Sequence, residues 1–403
     1  MASCSLQEVF QQGFDTFARG RHLHPRELRA AESIAGCYTD AMGSHTLACL
    51  AGDFSKVQFH ACRHRSCPRC ADAARKTWID AEMARLLPCP HFHTVFTIAH
   101  SLLPLWALNR TWFINALFDA SRQSLLQLLA DPRHLGAEPG ILMSLHTWGR
   151  NLSHHPHIHC LVSAGGIDPN GHWRSCRPHW LAPVQALKKL FRGKLLDALW
   201  HALPSLHLPA GSDVSTWQRH IKQLYRKPFN VEVRPLYEHG RGVVLYLARY
   251  AKGGPVPDER PLRLRDGIVL FPYTDHRSKR HQTLRLPLPE FIGRVLWHAP
   301  PRSVHTTRHA GLYTSSHRLQ HSLAQFHLRD IQTQPWPRPS PAPTPAPPAI
   351  RCPRCCGPLL RVASRPRLPF GWSTTHHRGE FSLPTAPNAT GPPQPQRRGP
   401  TQR

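Results

Sequence analysis

The chain has 403 residues, with 51 Lys and Arg against 24 Asp and Glu, a formal net charge of +27 and a pI near 10.6. This length allows two or three domains with a sizeable core, and the positive excess makes a polyanion the expected partner, bound less tightly as salt rises. No apolar run reaches the roughly 18 residues that span a bilayer, and the start has neither a basic amphipathic anchor nor a signal-peptide core. The expectation is therefore a soluble, intracellular protein with no membrane partner.

Residues 1–92 hold most of the twelve cysteines and are expected to form a small N-terminal domain, with helical patterning over 25–35 and 71–87. From His93 the pattern becomes β-branched and partly alternating, which predicts a strand over 93–99. Helical spacing follows over 116–129. Two strand-like runs, 141–146 and 157–163, flank a polar turn at 149–154 and read as antiparallel neighbours, the second closed by Gly165-Gly166. Leu187, Leu190, Phe191, Leu195, Leu196 and Leu199 make an apolar stripe at helical period over 185–203. A strand is predicted at 229–233 and a helix at 243–252, which Gly253-Gly254-Pro255 stops; strands at 268–273 and 282–286 complete the set. Together 93–318 read as one larger domain. Residues 319–403 become a Pro-rich linker, a Cys-x2-Cys pair at Cys352 and Cys355, and a basic tail expected to be disordered.

Cys62-Arg-His-Arg-Ser-Cys67-Pro-Arg-Cys70 is the strongest local signal. Cys-x2-Cys brings two thiolates to one tetrahedral zinc, and Cys62 adds a third ligand. Cys49 is the expected fourth, with Cys37, His60 or His64 as substitutes. The basic residues around this knuckle, Arg65 and Arg69 among them, are candidates to face DNA or to form an ordinary solvated surface. Cys352-Pro-Arg-Cys355-Cys356 starts a second knuckle, but no partner pair follows it.

His157-Ile158-His159 lies in a strand pattern, and residues two apart on a strand share a face, so both imidazoles can meet one cation. With 30 histidines such triplets arise by chance, and His22-Leu23-His24 and His91-Phe92-His93 have the same form. The first precedes a helix beside a proline; in the second, His93 starts a strand where it can simply pack. Tyr246 and Tyr250 lie four apart on a helix and share a face. Such a pair is commonly packing, yet Arg249 and Lys252 are the cations one would place beside a scissile phosphate.

These segments, in this order and spacing, resemble the two-tyrosine rolling-circle transposases of the insertion sequence 91 family, in the HUH endonuclease superfamily. The carriers are Cys62 to Cys70, Leu86-Leu-Pro-Cys-Pro-His-Phe-His-Thr-Val-Phe-Thr97, Leu145-His-Thr-Trp-Gly-Arg150, His155-Pro-His-Ile-His-Cys-Leu-Val-Ser-Ala-Gly-Gly166, Tyr246-Leu-Ala-Arg-Tyr250 with Gly253-Gly-Pro255, and Arg308-His-Ala-Gly-Leu312. The likeness covers about residues 10–315. It implies an α+β protein: an antiparallel-sheet HUH nuclease domain flanked by helices, preceded by a small zinc-binding domain. It further implies His157 and His159 as ligands of Mg²⁺ or Mn²⁺, and Tyr246 and Tyr250 as nucleophiles. A third ligand is usual in that superfamily, and His146 is the candidate because it ends the neighbouring strand. The chain departs from the family pattern at Gly52, where a second cysteine after Cys49 is usual, and at Ser66, where histidine is common.

The resulting expectation is a bacterial, cytoplasmic transposase, nucleoid-associated in use, that nicks and rejoins single-stranded transposon ends and target DNA through a 5′-phosphotyrosine. Zn²⁺ would be structural. The rival readings are a replication initiator or relaxase with the same chemistry, and a non-catalytic zinc-containing DNA-binding protein descended from a transposase.

Overall fold

Local sequence sets the first two helices. In α1 (Leu6–Ala18) the Ser5 hydroxyl accepts from the Glu8 N–H while the Glu8 carboxylate accepts from the Ser5 N–H. α2 (Pro25–Gly36) starts with proline in the first turn, where the missing N–H costs nothing, and His24 caps it by accepting from the Arg26 N–H. The chain continues through β1 (Ser44–Cys49), β2 (Ser55–Phe59), α3 (Pro68–Arg85), β3 (His91–Thr97), α4 (Leu103–Leu108), α5 (Arg110–Ala130), β4 (Glu138–Trp148), β5 (His154–Ile167) and β6 (Trp173–Ser175). Then come α6 (Val184–Ala202), α7 (Val214–Leu224), β7 (Asn230–Val233), α8 (Gly240–Ala251), β8 (Arg263–Arg265), β9 (Ile268–Thr274), β10 (His281–Pro287), α9 (Leu288–Leu296), β11 (Thr307–Gly311), α10 (Arg318–Ile331) and β12 (Leu359–Arg365). The computed structural model describes residues 3–238, 240–258, 260–275, 278–331 and 350–368, without the side chains at 249, 250, 330 and 331.

The protein is α+β, and the strand pairings in all three sheets are antiparallel. The largest has the order β11-β4-β5-β3-β7, with β6 on the end of β5. Strand alternation gives it two faces. Ile158, Cys160 and Val162 point into a core with α5 and α6, where Phe113, Phe118, Phe191 and Leu195 are buried. Leu161 and Leu142 point the other way, onto α3, α8 and α10 through Trp78, Val244, Leu247 and Leu328. Each such side chain stabilises the fold by roughly 1.5–3 kcal/mol relative to exposure.

Elements from either side of residues 92 and 318 share hydrophobic clusters. α1 and α2 bury Phe10, Phe14 and Ile34 against Phe271, Phe291 and Ile292 of β9 and α9, so the first helices share a core with residues near 290. α10 packs on the large sheet through Ala324 and Leu328. β12 is the outer partner of β1 in the sheet β12-β1-β2, so part of the segment read as a tail joins the N-terminal region. The residues expected to be disordered beyond 383 lie outside the described residues.

Gly311 ends β11 with φ at +55°, and a Cβ there would sit 1.9 Å from the Pro139 carbonyl oxygen of β4. Backbone cannot yield as a side-chain tip does. Gly311→Ala is therefore expected to destabilise the protein by about 3 kcal/mol, read by denaturant or thermal unfolding. A loss below about 0.5 kcal/mol would contradict this packing.

Candidate active site and metal clusters

β4 and β5 pair so that His146 stands opposite His157. His157 and His159 share the face of β5 that α8 covers. The His146 ring centroid lies 3.9 Å from that of His159 and 5.1 Å from that of His157, and His157 and His159 are 4.7 Å apart. One ring nitrogen of each lies within 4.8 Å of the others. All three rings are buried, and burial disfavours the charged imidazolium: the His157 pKa is pushed down to about 3, and those of His146 and His159 fall well below the usual range. At neutral pH the cluster is thus three neutral imidazoles, the form that ligates metals.

Two further contacts orient them. The His157 ring is tied through Nδ1 to the His155 carbonyl at 2.5 Å, so Nδ1 carries the proton and Nε2 the lone pair. His159 Nδ1 lies 2.7 Å from His93 Nε2, leaving His159 Nε2 buried and without a hydrogen-bond partner. A buried polar atom left so costs about 1–3 kcal/mol, and a cation ligated there would remove that cost. The donor set therefore fits a divalent metal. His93, read from sequence as packing, is the residue that aims His159; its neighbour in the triplet, His91, is instead bonded to the Tyr313 hydroxyl at 2.6 Å. His24 of the third triplet is the α2 cap.

α8 lies across this face and brings the Tyr246 ring 5.7 Å from His159, 5.8 Å from His93 and 6.4 Å from His146. Tyr250 and Arg249 are on the same helix, but their side chains lie outside the described residues. Lys252, just past α8, has Arg65 and Glu82 among its charged neighbours. Sequence reading also missed Arg234, whose N–H donates to the His93 carbonyl at 2.9 Å. Its Nε lies 3.4 Å from Glu232 Oε1. Partial burial opposes its charge, but Glu232 and then Tyr246 raise its pKa, while its own charge helps hold all four site histidines neutral. Nothing in the pattern of residues 229–233 marks this role, which depends on β3 pairing with β7.

The second cluster lies where α2 ends and α3 begins. Cys37, Cys62, Cys67 and Cys70 have their sulfurs within 4.8 Å of one another, with Cys70 3.4 Å from Cys37 and 3.5 Å from Cys62. Cys67 precedes α3 and Pro68 occupies its first turn, so Cys67 and Cys70 sit at a helix N-terminus, whose dipole favours thiolates. Contacts from Cys62 and then Cys67 pull the Cys37 pKa down to about 2, while Cys37 pushes Cys67 up to about 12. Four adjacent thiols cannot all ionise without a cation between them.

One expectation is corrected here. Cys49 does not complete the set with Cys62, Cys67 and Cys70; Cys37 does, because Tyr38 turns the chain back after α2 and donates its N–H to the His60 carbonyl. Cys49 ends β1 with its sulfur 3.1 Å from that of Cys355. Arg65 is partly buried. Its guanidinium is used inside the protein, donating to the Ala251 carbonyl and to Thr306 Oγ1, and so joins the cysteine knuckle to the end of α8. Arg69 is exposed, 5.0 Å over the Tyr38 ring and bonded to Gln7 Oε1 at 3.0 Å.

Fold and sites define an α+β protein with cysteine-rich ligand clusters and a buried histidine cluster under a tyrosine-bearing helix. Residues 140–320 match a family described as "Putative transposase", and residues 9–98 match one described as "Transposase zinc-binding domain". The chain is 34% identical over 330 residues to "Putative transposase y4qJ" of Sinorhizobium fredii, spanning 79% of this chain and 82% of that protein. It is 31% identical over 296 residues to "Transposase for insertion sequence element IS801" of Pseudomonas savastanoi pv. phaseolicola, spanning 72% and 70%. No solved structure shows a significant match. The chain belongs to the insertion sequence 91 family of transposases. Its N-terminal region is a zinc-binding domain, and the cysteine cluster within it supports a structural zinc. Among the described residues no helix is long and apolar enough to cross a membrane.

Proposed function

We propose that this chain nicks and rejoins single-stranded DNA by tyrosine transesterification, on a catalytic domain of the HUH type. The observation that carries this reading is Tyr246 on α8, set against His146, His157 and His159 on one buried sheet face. His146, His157 and His159 would hold the metal, and a divalent cation bound there would supply positive charge to the scissile phosphate. The Tyr246 hydroxyl attacks phosphorus and loses its proton; the bond to the 3′-oxygen breaks and that oxygen takes up a proton. The products are a 5′-phosphotyrosine and a free 3′-hydroxyl, with the bond energy conserved in the covalent link. Tyr250, one turn further along α8, accepts a second strand while Tyr246 is occupied. Arg234 places a positive charge beside Tyr246 and favours the developing negative charge. Cys37, Cys62, Cys67 and Cys70 hold the structural zinc, and the net charge of +27 draws the DNA backbone.

The donor set sharpens the choice of catalytic metal. Three imidazoles without a carboxylate suit Mn²⁺ better than Mg²⁺, which prefers oxygen ligands. The test is nicking of a single-stranded oligonucleotide carrying the element's end. Cleavage with a covalent protein–DNA adduct, supported by Mn²⁺ at lower concentration than by Mg²⁺, is expected. Cleavage without any adduct, or undiminished in chelator, would overturn the reading. His93→Ala, which frees the His159 ring to turn, is expected to weaken Mn²⁺ binding by about 10–100-fold in a metal titration while the fold is retained. An unchanged titration would show that His93 does not position His159.

A further inference from the structure

Cys352 and Cys355 have no second cysteine pair after them in the sequence, yet the fold supplies their partners from the opposite end of the chain. β12 pairs with β1 from Ser44–Arg365 to Cys49–Leu359, a register that lays the turn after β1 beside the turn before β12. Cys49 Sγ then lies 3.1 Å from Cys355 Sγ, and Cys352 Sγ lies 3.5 Å from Asp53 Oδ1. Ligand atoms of all four residues fall within 4.8 Å of one another. Cys49 and Cys352 are buried.

Both turns have shapes suited to holding a metal. The Arg354 N–H points at Cys352 Sγ at 3.4 Å, as the His64 N–H points at Cys62 Sγ at 3.4 Å in the first cluster. The Cys356 N–H returns to the Cys352 carbonyl at 2.9 Å, with Cys356 in the left-handed region at φ +59°. On the other side Gly52, at φ +74°, donates its N–H to the Cys49 carbonyl at 3.0 Å. That turn sends Asp53 back beside Cys352. Gly52 therefore removes a thiolate from the position that Cys-x2-Cys would give it, and the next residue offers a carboxylate in its place.

We propose that Cys49, Asp53, Cys352 and Cys355 form a second tetrahedral zinc site, which clasps the C-terminal segment onto the N-terminal sheet. Three sulfurs and one carboxylate oxygen are a soft donor set that selects Zn²⁺ over Mg²⁺ or Ca²⁺. Their four negative charges exceed the cation's two, and Arg351 and Arg354 on the same segment offset the remainder. The clasp would add to the ladder with β1 and to the Arg367–Glu32 ion pair that hold the β12 segment. Six of its seven residues are exposed, so apolar burial does not hold it to β1, and a short solvent-facing strand pairing is marginal without another tie.

The test is metal content of the full chain purified with zinc. Wild type is expected to hold two cysteine-bound zinc ions per chain, beyond any zinc taken up by the histidine cluster, and X-ray absorption should give seven zinc–sulfur bonds per chain. Cys352→Ser combined with Cys355→Ser should remove one equivalent and make the 350–368 segment sensitive to protease. Asp53→Ala should weaken the same site, whereas Cys356→Ser should leave the stoichiometry unchanged. Four zinc–sulfur bonds per chain in wild type, or an unchanged zinc count in the double variant, would overturn the proposal. So would release of the segment by reductant but not by chelator, since a disulfide would then be the tie. The absorption measurement needs no variant and keeps the test decisive if the double variant misfolds.

Discussion

Tyr246→Phe combined with Tyr250→Phe is expected to abolish covalent DNA adducts and to lower strand cleavage by about 10⁴-fold or more, the scale seen when an enzyme loses its nucleophile. The exchange removes only hydroxyls. The Tyr246 ring would still pack against His93, His146 and His159, so folding and Mn²⁺ binding should match wild type. Tyr246→Phe alone should remove the first adduct, since Tyr246 is the phenol set against the histidines, and Tyr250→Phe alone should permit cleavage but impair transfer to a second strand. Denaturing gels with end-labelled oligonucleotide read all three. Adducts that persist in the double variant would mean that another residue is the nucleophile.

Removing the structural zinc is expected to have the largest effect on stability. Apparent binding energies for structural zinc are about 10–16 kcal/mol in small zinc-binding peptides, comparable with the whole stability of a domain. Cys67→Ser, or a strong chelator, should therefore unfold the region between α2 and α3 in thermal or denaturant unfolding. The damage should also reach catalysis. Arg65 lies in the loop between Cys62 and Cys67 and holds the Ala251 carbonyl at the end of α8, with Thr306 as its second partner. Losing the knuckle releases that end of the tyrosine helix. Zinc-depleted protein should thus nick more slowly even with saturating Mn²⁺, and restored zinc should recover the rate. Unchanged stability and rate after complete zinc loss would refute this coupling.

Periodicity located part of the fold, while the amphipathic helices α1, α7, α9 and α10 went unassigned. The predicted helices at 25–35 and 71–87 correspond to α2 and α3, those at 116–129 and 185–203 to α5 and α6, and that at 243–252 to α8. The adjacent antiparallel strands at 141–146 and 157–163 are β4 and β5, each longer than the pattern implied. Short connectors were illegible because their residues are sheet-forming only in company: β2 is exposed along its whole length, and β12 nearly so. At the histidine site, strand alternation is enough to put His157 and His159 on one face. His93 and Arg234 depend on which strands neighbour β5, and pairing across many residues leaves no local trace. The misassigned fourth cysteine has the same origin. Cys37 and Cys49 are both plausible by spacing, and only the reversal at Tyr38 and the arrival of Cys355 separate them.

The shared core of α1, α2, β9 and α9 has a consequence for how the protein is made. Phe10, Phe14 and Phe17 leave the ribosome long before Phe271, Phe291 and Ile292, which cover them. At about 5–20 residues per second, the roughly 250 intervening residues take on the order of 10–50 s to synthesise. Throughout that interval the phenylalanine ridge of α1 has only α2 as native cover, so the nascent chain is expected to engage a holding chaperone there. A message cut short before the α9 codons should yield an insoluble polypeptide and not a smaller working enzyme, even though every histidine and tyrosine of the site has already been translated.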